Sequence, residues 1–200
     1  MQHAIDRAIA SLIRAPEKDG ISLRVHQECD GATVALDSTR LIQVVLNLLL
    51  NAKKAIGGSR GAITIHVARH EGGPKPPSDG LCLCSTWNIR AGPKQNTNTT
   101  QQPNKNQPPV RSVVVIRVAN TGPVVDAAQI AGQVAGQVDE ADGLPSARQW
   151  GGRGLGLFIC AQIVRQAGGE LWARCPREGG AEFTVVLPTA QLRAGGRAAA

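Results

Sequence analysis

"LIQVVLNLLLNAKK", residues 41–54, is the stretch on which the reading of this chain turns. It is apolar enough for a buried helix, yet it carries Asn47 and Asn51 four residues apart. An unpaired buried amide costs about 1–3 kcal/mol. The two amides therefore belong at a turn, in a polar network, or against something outside the sequence.

Wound at about 100° per residue, Gln43, Asn47, Asn51 and Lys54 fall within roughly 80° of one another. Leucines, including Leu50, with valines, alanines and isoleucines fill the rest. An ordinary surface helix has a narrow apolar stripe on a polar body; this one has a narrow polar stripe on an apolar body. Asp37 and Ser38 are N-cap candidates, and Gly57-Gly58 closes the helix. The stripe either meets water or lines a pocket for a polar ligand or a cation.

The chain has 200 residues, enough for one domain with a proper core. Aromatic residues make up 2%, with no Tyr, which argues against the stacking platforms of single-stranded nucleic-acid binders. The net charge of +7 suits an anionic ligand. Its Lys and Arg residues are scattered, so no nucleic-acid partner is expected. Five cysteines match no zinc spacing beyond one Cys-x-Cys, Cys82 and Cys84. Reduced thiols, no signal pattern and no long apolar run point to a soluble intracellular segment without membrane contact. Cytoplasm is the expected compartment, and a plastid stroma would require a longer precursor.

Along the chain, residues 1–14 read as a helix, 21–26 as a strand and "ATVALD" (32–37) as a short second strand. Residues 61–70 alternate strongly. A low-complexity stretch, 71–110, rich in Pro, Asn, Gln and Gly, reads as a disordered insertion, with "LCLCSTWNI" as its one apolar island. Residues 111–120 resume as a strand, so the two flanking strands suggest a hairpin with an expanded tip. Residues 126–150 read as a mobile segment with at most one short helix. Residues 154–169 form a helix closed by Gly168-Gly169, and "ELWARC" and "AEFTVVLP" form two last strands. The domain thus runs over 1–190 around the insertion, with a flexible tail at 191–200.

Two further stretches carry chemistry. In "VANTGPVV" (118–125) a strand ends at Asn120, and Gly122 permits close backbone approach. In "GGRGLGLFI" (151–159) Gly152, Gly154 and Gly156 alternate into a helix start, where free N–H groups and the macrodipole favour anions.

In this order the motifs resemble the ATP-binding catalytic domain of two-component sensor histidine kinases. That domain's superfamily includes gyrase, MutL and the 90-kDa heat-shock chaperone. "QVVLNLLLNAKKAI" is similar to the family's N-box, "NTGPVV" to its first glycine box, "GRGLGLFI" to its second and "GGAEFTVVLP" to its closing strand. The resemblance covers about 5–70 and 111–188. It implies a two-layer α/β sandwich, the Bergerat-type ATP-binding fold, with a mixed sheet and helices on one face. It also implies roles. Asn51 would ligate Mg²⁺, Asn47 would lie beside the phosphates or the metal's water shell, and Lys54 would reach a phosphate. Asn120 would accept the adenine amino group, Gly122 would leave room for the ring, and Gly152, Gly154 and Gly156 would cradle the triphosphate. The implied partners are ATP, a dimerisation domain bearing the phosphoacceptor histidine outside this chain and, indirectly, a response regulator.

Departures from the family pattern bear on mechanism. Asn120 stands where the family carries Asp, and Val124 replaces a glycine. Residues 126–150, where the resemblance places a lid over the triphosphate, lack a Phe-rich segment, and His3 lacks the phosphoacceptor's surroundings. ATPases of the superfamily place a Glu one turn before the metal Asn as general base. Asn47 occupies that position here and cannot take a proton at neutral pH. A histidine acceptor needs no such base, because neutral imidazole is already nucleophilic. The residues therefore favour phosphotransfer to histidine. The alternatives are a catalytically weak nucleotide-binding module and an ATP hydrolase.

Overall fold

The computed structural model describes residues 1–12, 15–29, 32–58, 60–71, 80–85, 112–127, 130–131 and 155–190. Its centre is a six-stranded mixed sheet. The strands are β1 (Ile21–Glu28), β2 (Gly61–Glu71), β3 (Leu81–Ser85), β4 (Ser112–Asn120), β5 (Glu170–Arg174) and β6 (Ala181–Pro188). They run in the spatial order β1-β2-β4-β6-β5-β3. Only the β1–β2 pair is parallel; the other pairs are antiparallel.

Helices α1 (Gln2–Ala10), α2 (Ser38–Ile56) and α3 (Leu155–Gln166) share one face of the sheet. Ile5 and Ala8 of α1, Val44, Val45, Leu48 and Leu49 of α2, and Leu157 and Val164 of α3 join Ile63, Ile65, Val118 and Val185 of the sheet in one core. Strand side chains alternate between faces, so Val113, Val115 and Val186 form a separate small cluster on the other face. The architecture is the expected α/β sandwich.

α2 is set at both ends by local chemistry. The Asp37 carboxylate accepts from the Arg40 N–H at 3.0 Å, so Asp37, rather than Ser38, is the cap. At the other end Gly57 takes the left-handed conformation, φ 68°, that stops a helix cheaply. The Lys53 ammonium meets the Asp19 carboxylate at 2.6 Å, tying the last turn to the short 3₁₀ turn (Pro16–Asp19) before β1.

The β2–β4 pairing is antiparallel and in register from Ile63↔Asn120 to Glu71↔Ser112, as expected of the flanking strands, but the two do not form a simple hairpin because another strand lies between them in the chain. The insertion reading needs correction at its apolar island. Leu81–Ser85 is the edge strand β3, paired antiparallel with β5 and carrying a bulge between Cys82 and Cys84. The chain thus crosses from β2 to the far edge of the sheet and returns as β4. The rest of the expected insertion, 72–79 and 86–111, most of the segment 126–150 and the tail 191–200 lie outside the described residues. A second correction concerns 32–37. Only Val34 makes a bridge, to Thr189, because the chain must turn into the α2 cap at Asp37. α1 also ends at Ala10 rather than at residue 14.

Candidate functional site

Three segments meet around α2. The first is the polar stripe of α2 itself. Asn47 and Asn51 are half-buried, while Gln43 and Lys54, further along the stripe in each direction, are exposed. Leu48 and Leu49 beside them are fully buried. Leu50, read as part of the apolar body, is exposed instead.

The second segment is the start of α3. The Asn47 Nδ2 donates to the Gly156 carbonyl at 3.3 Å, which binds the polar stripe of α2 to the second glycine motif. A Cβ at Gly156 would stand 3.6 Å from Asn47 Cβ and Cγ, an ordinary contact. One turn further on, the Cys160 thiol donates to the Val44 carbonyl at 3.6 Å. Burial pushes this thiol up to about 12, with the Asn47 side chain pulling the other way. Gly152 and Gly154 lie outside the described residues.

The third segment is the end of β4. Asn120 is buried, and its Nδ2 donates to the Thr121 carbonyl at 2.9 Å. That bond spends an amide donor and leaves Oδ1 as the acceptor. Thr121 is itself held on β2: its N–H donates to the Ala62 carbonyl at 3.0 Å, and its Oγ1 accepts from the Ala62 N–H at 2.8 Å. A Cβ at Gly122 would stand 3.3 Å from the Ala55 carbonyl oxygen and 3.4 Å from Asn120 Nδ2. The first glycine motif therefore packs against the last turn of α2, and the second against its middle.

The Asn51 amide has no hydrogen-bond partner among the described residues. Its oxygen is a hard donor that fits a hard cation. Among the described residues no group of three or more His, Cys, Asp or Glu could hold a metal. A divalent ion at Asn51 must then complete its shell with water and ligand oxygens, as Mg²⁺ commonly does beside phosphates.

The model of the histidine kinase-, DNA gyrase B- and HSP90-like ATPase family matches residues 89–191, just over half of the chain. The chain belongs to this family. The match spans both glycine motifs and the closing strand but not α2. The catalytic domain of histidine kinase ThkA, in a nucleotide-free form, superposes with a TM-score of 0.60 at 19% identity, covering 94% of this chain and 90% of that one. The mycobacterial sensor histidine kinase MprB gives 0.57 at 20%, covering 94% of each chain. ThkA in its complex with the response regulator protein TrrA gives 0.57 at 19%, covering 95% of this chain and 40% of that one. At these identities the likeness shows the fold. No curated protein matches.

Within this family domain the structure gives two glycines a role that the motifs alone did not supply. Gly179 and Gly180, which open the "GGAEFTVVLP" stretch, lie against the first glycine motif. Both have positive φ, 103° and 79°. A Cβ at Gly180 would overlap the Asn120 carbonyl oxygen, and one at Gly179 would overlap that of Gly122. The Gly180 N–H donates to the Pro123 carbonyl at 3.0 Å. The paired glycines of "REGG" immediately before a strand were the signal available. Thr121 carried no distinguishing signal. No described helix is long and apolar enough to cross a membrane.

Proposed function

We propose that this domain binds Mg·ATP and transfers the γ-phosphoryl group to a histidine on a dimerisation domain, as the catalytic part of a two-component sensor histidine kinase. The observation that carries the reading is the half-buried Asn51 amide, unengaged by the described protein, one turn from an Asn47 anchored to the glycine-rich helix start.

In this reading Asn120 Oδ1 accepts from the adenine amino group, and the Thr121 carbonyl keeps the amide in that orientation. Gly122 leaves space for the ring. Gly152, Gly154 and Gly156 present backbone to the phosphates, and exposed Lys54 reaches one of them. Asn51 would hold Mg²⁺, which neutralises phosphate charge when bound. An imidazole nitrogen of the acceptor attacks the γ-phosphorus, the bond to the bridging oxygen breaks, and ADP leaves. Asn47 cannot act as a base and instead fixes α3 against α2 through the Gly156 carbonyl. A response regulator then takes the phosphoryl group from the histidine.

The test supplies radiolabelled ATP with and without a histidine-bearing dimerisation domain in trans. Label on that domain, with slow hydrolysis in its absence, is the expected result. Brisk hydrolysis without an acceptor moves the domain to the hydrolase branch of the family. Binding without transfer to the cognate acceptor makes it a regulatory module. An Asn47→Glu variant is expected to gain hydrolysis if the carboxylate comes within hydrogen-bond reach of the attacking water.

A further inference from the structure

The sheet face opposite the helices carries a pair of imidazoles remote from the chemistry above. His26 of β1 and His66 of β2 are register partners on neighbouring parallel strands. Their ring centroids are 4.5 Å apart and the ring planes lie within 15° of each other. Both side chains are exposed. Ile65 and Val67, on either side of His66, are buried in the helix-side core, so His66 points the other way. Neither imidazole engages in a hydrogen bond or ion pair among the described residues.

We infer that His26 and His66 form a two-imidazole site for a borderline transition-metal cation, Zn²⁺ or Cu²⁺, distinct from the nucleotide site. Two nitrogens each about 2.0–2.1 Å from one ion stand at most about 4 Å apart. The centroids, 4.5 Å apart, are close to that span, and each stacked ring would have to turn about its side-chain torsions to aim a nitrogen at a shared ion. Imidazole is a ligand that Zn²⁺ and Cu²⁺ favour and Mg²⁺ does not. The surrounding charges set the strength. Glu28 lies two residues along β1 and favours a cation. Arg24 on the same strand and Arg117, the register partner of His66 on β4, oppose one. Two protein donors with water completing the shell make an exchangeable site, not a closed structural one. Because β1 is one of the two edge strands, a bound ion would also clasp it to β2.

The test titrates ZnCl₂ into the untagged full chain in a His3→Ala background, which removes the imidazole nearest the amino terminus. Ring resonances are followed by NMR and heat by calorimetry. The rings of His26 and His66 are expected to shift together and His70 to stay unmoved. His26→Ala and His66→Ala should each weaken this binding by more than about tenfold, the loss that removing even an outer partner of a metal produces. His70→Ala should leave it intact. Zn²⁺ should raise the melting temperature of the parent but not of the two variants, whose metal-free melting temperatures should match it. Rings unmoved by Zn²⁺ would overturn the inference. So would binding that persists in both variants, or an equal response to Mg²⁺.

Discussion

The glycines around Asn120 and the glycine at the head of α3 serve different masters. At Gly122, Gly179 and Gly180 the protein itself forbids a side chain: neighbouring backbone occupies or crowds the space. At Gly156 the nearest atoms are at ordinary contact distance, and the backbone is helical. Nothing in the described protein requires glycine there. The difference teaches that the glycines at the proposed adenine end are required by the fold, while Gly156, at the proposed phosphate end, has no packing requirement among the described residues.

The strongest way to break this contrast is Gly180→Val. A β-branched residue at φ 79° against the Asn120 carbonyl should cost about 3 kcal/mol or more. A large fall in the thermal or urea midpoint is expected; an unchanged midpoint would mean that the glycine pair is not a packing requirement. Gly156→Ala sharpens the other half. Stability should stay level or rise by up to about 1 kcal/mol, while ATP affinity falls by at least about tenfold, or 1.4 kcal/mol. Loss of stability together with affinity would make Gly156 a packing glycine like the others.

Asn120→Asp tests how the fold-built end is oriented. A carboxylate accepts more strongly, about 1.5–3 kcal/mol against about 1 for a neutral bond. It also faces the Thr121 carbonyl that the amide now satisfies. The two effects oppose each other, so ATP affinity measured by calorimetry should change by less than about tenfold. A gain beyond about a hundredfold would show that the Thr121 contact does not orient the side chain.

The smallest effect concerns the thiols behind the site. Burial pushes Cys84 up to about 11 and Cys160 up to about 12, from an ordinary value of 9.0. The folded chain therefore holds these protons more tightly than the unfolded chain. Their contribution to stability is complete below pH 9.0 and is lost as pH rises towards 12. The urea midpoint should fall across that window. Half-buried Cys82 and Cys175 should react with a thiol reagent before Cys84 and Cys160.

Much of this was legible because local chemistry and tertiary structure agree. The α2 stripe, its Asp37 cap and Gly57 stop, and the long alternation of β2 and β4 each point one way in sequence and structure alike. β3 was not legible. Five residues between tracts of Pro, Gly and polar residues carry too little pattern, and their strand character comes from pairing with β5. "ATVALD" failed for the opposite reason. It has strand composition but only one bridge partner, Thr189, and its end is committed to capping α2. The roles of Gly179 and Gly180 were hidden because they depend on β6 lying beside β4, a non-local contact that no spacing announces.

The most direct measurement is a calorimetric titration of ATP into the wild type and Asn51→Ala, once with Mg²⁺ and once with EDTA. Asn51 is half-buried and unengaged by the described protein, so its removal should leave the melting temperature nearly unchanged. With Mg²⁺ the variant is expected to lose at least about a hundredfold in affinity, or about 2.7 kcal/mol. In EDTA the two proteins should bind alike. Equal binding of Mg·ATP by both proteins would contradict the account, because Asn51 would then have no part in holding the metal and its nucleotide.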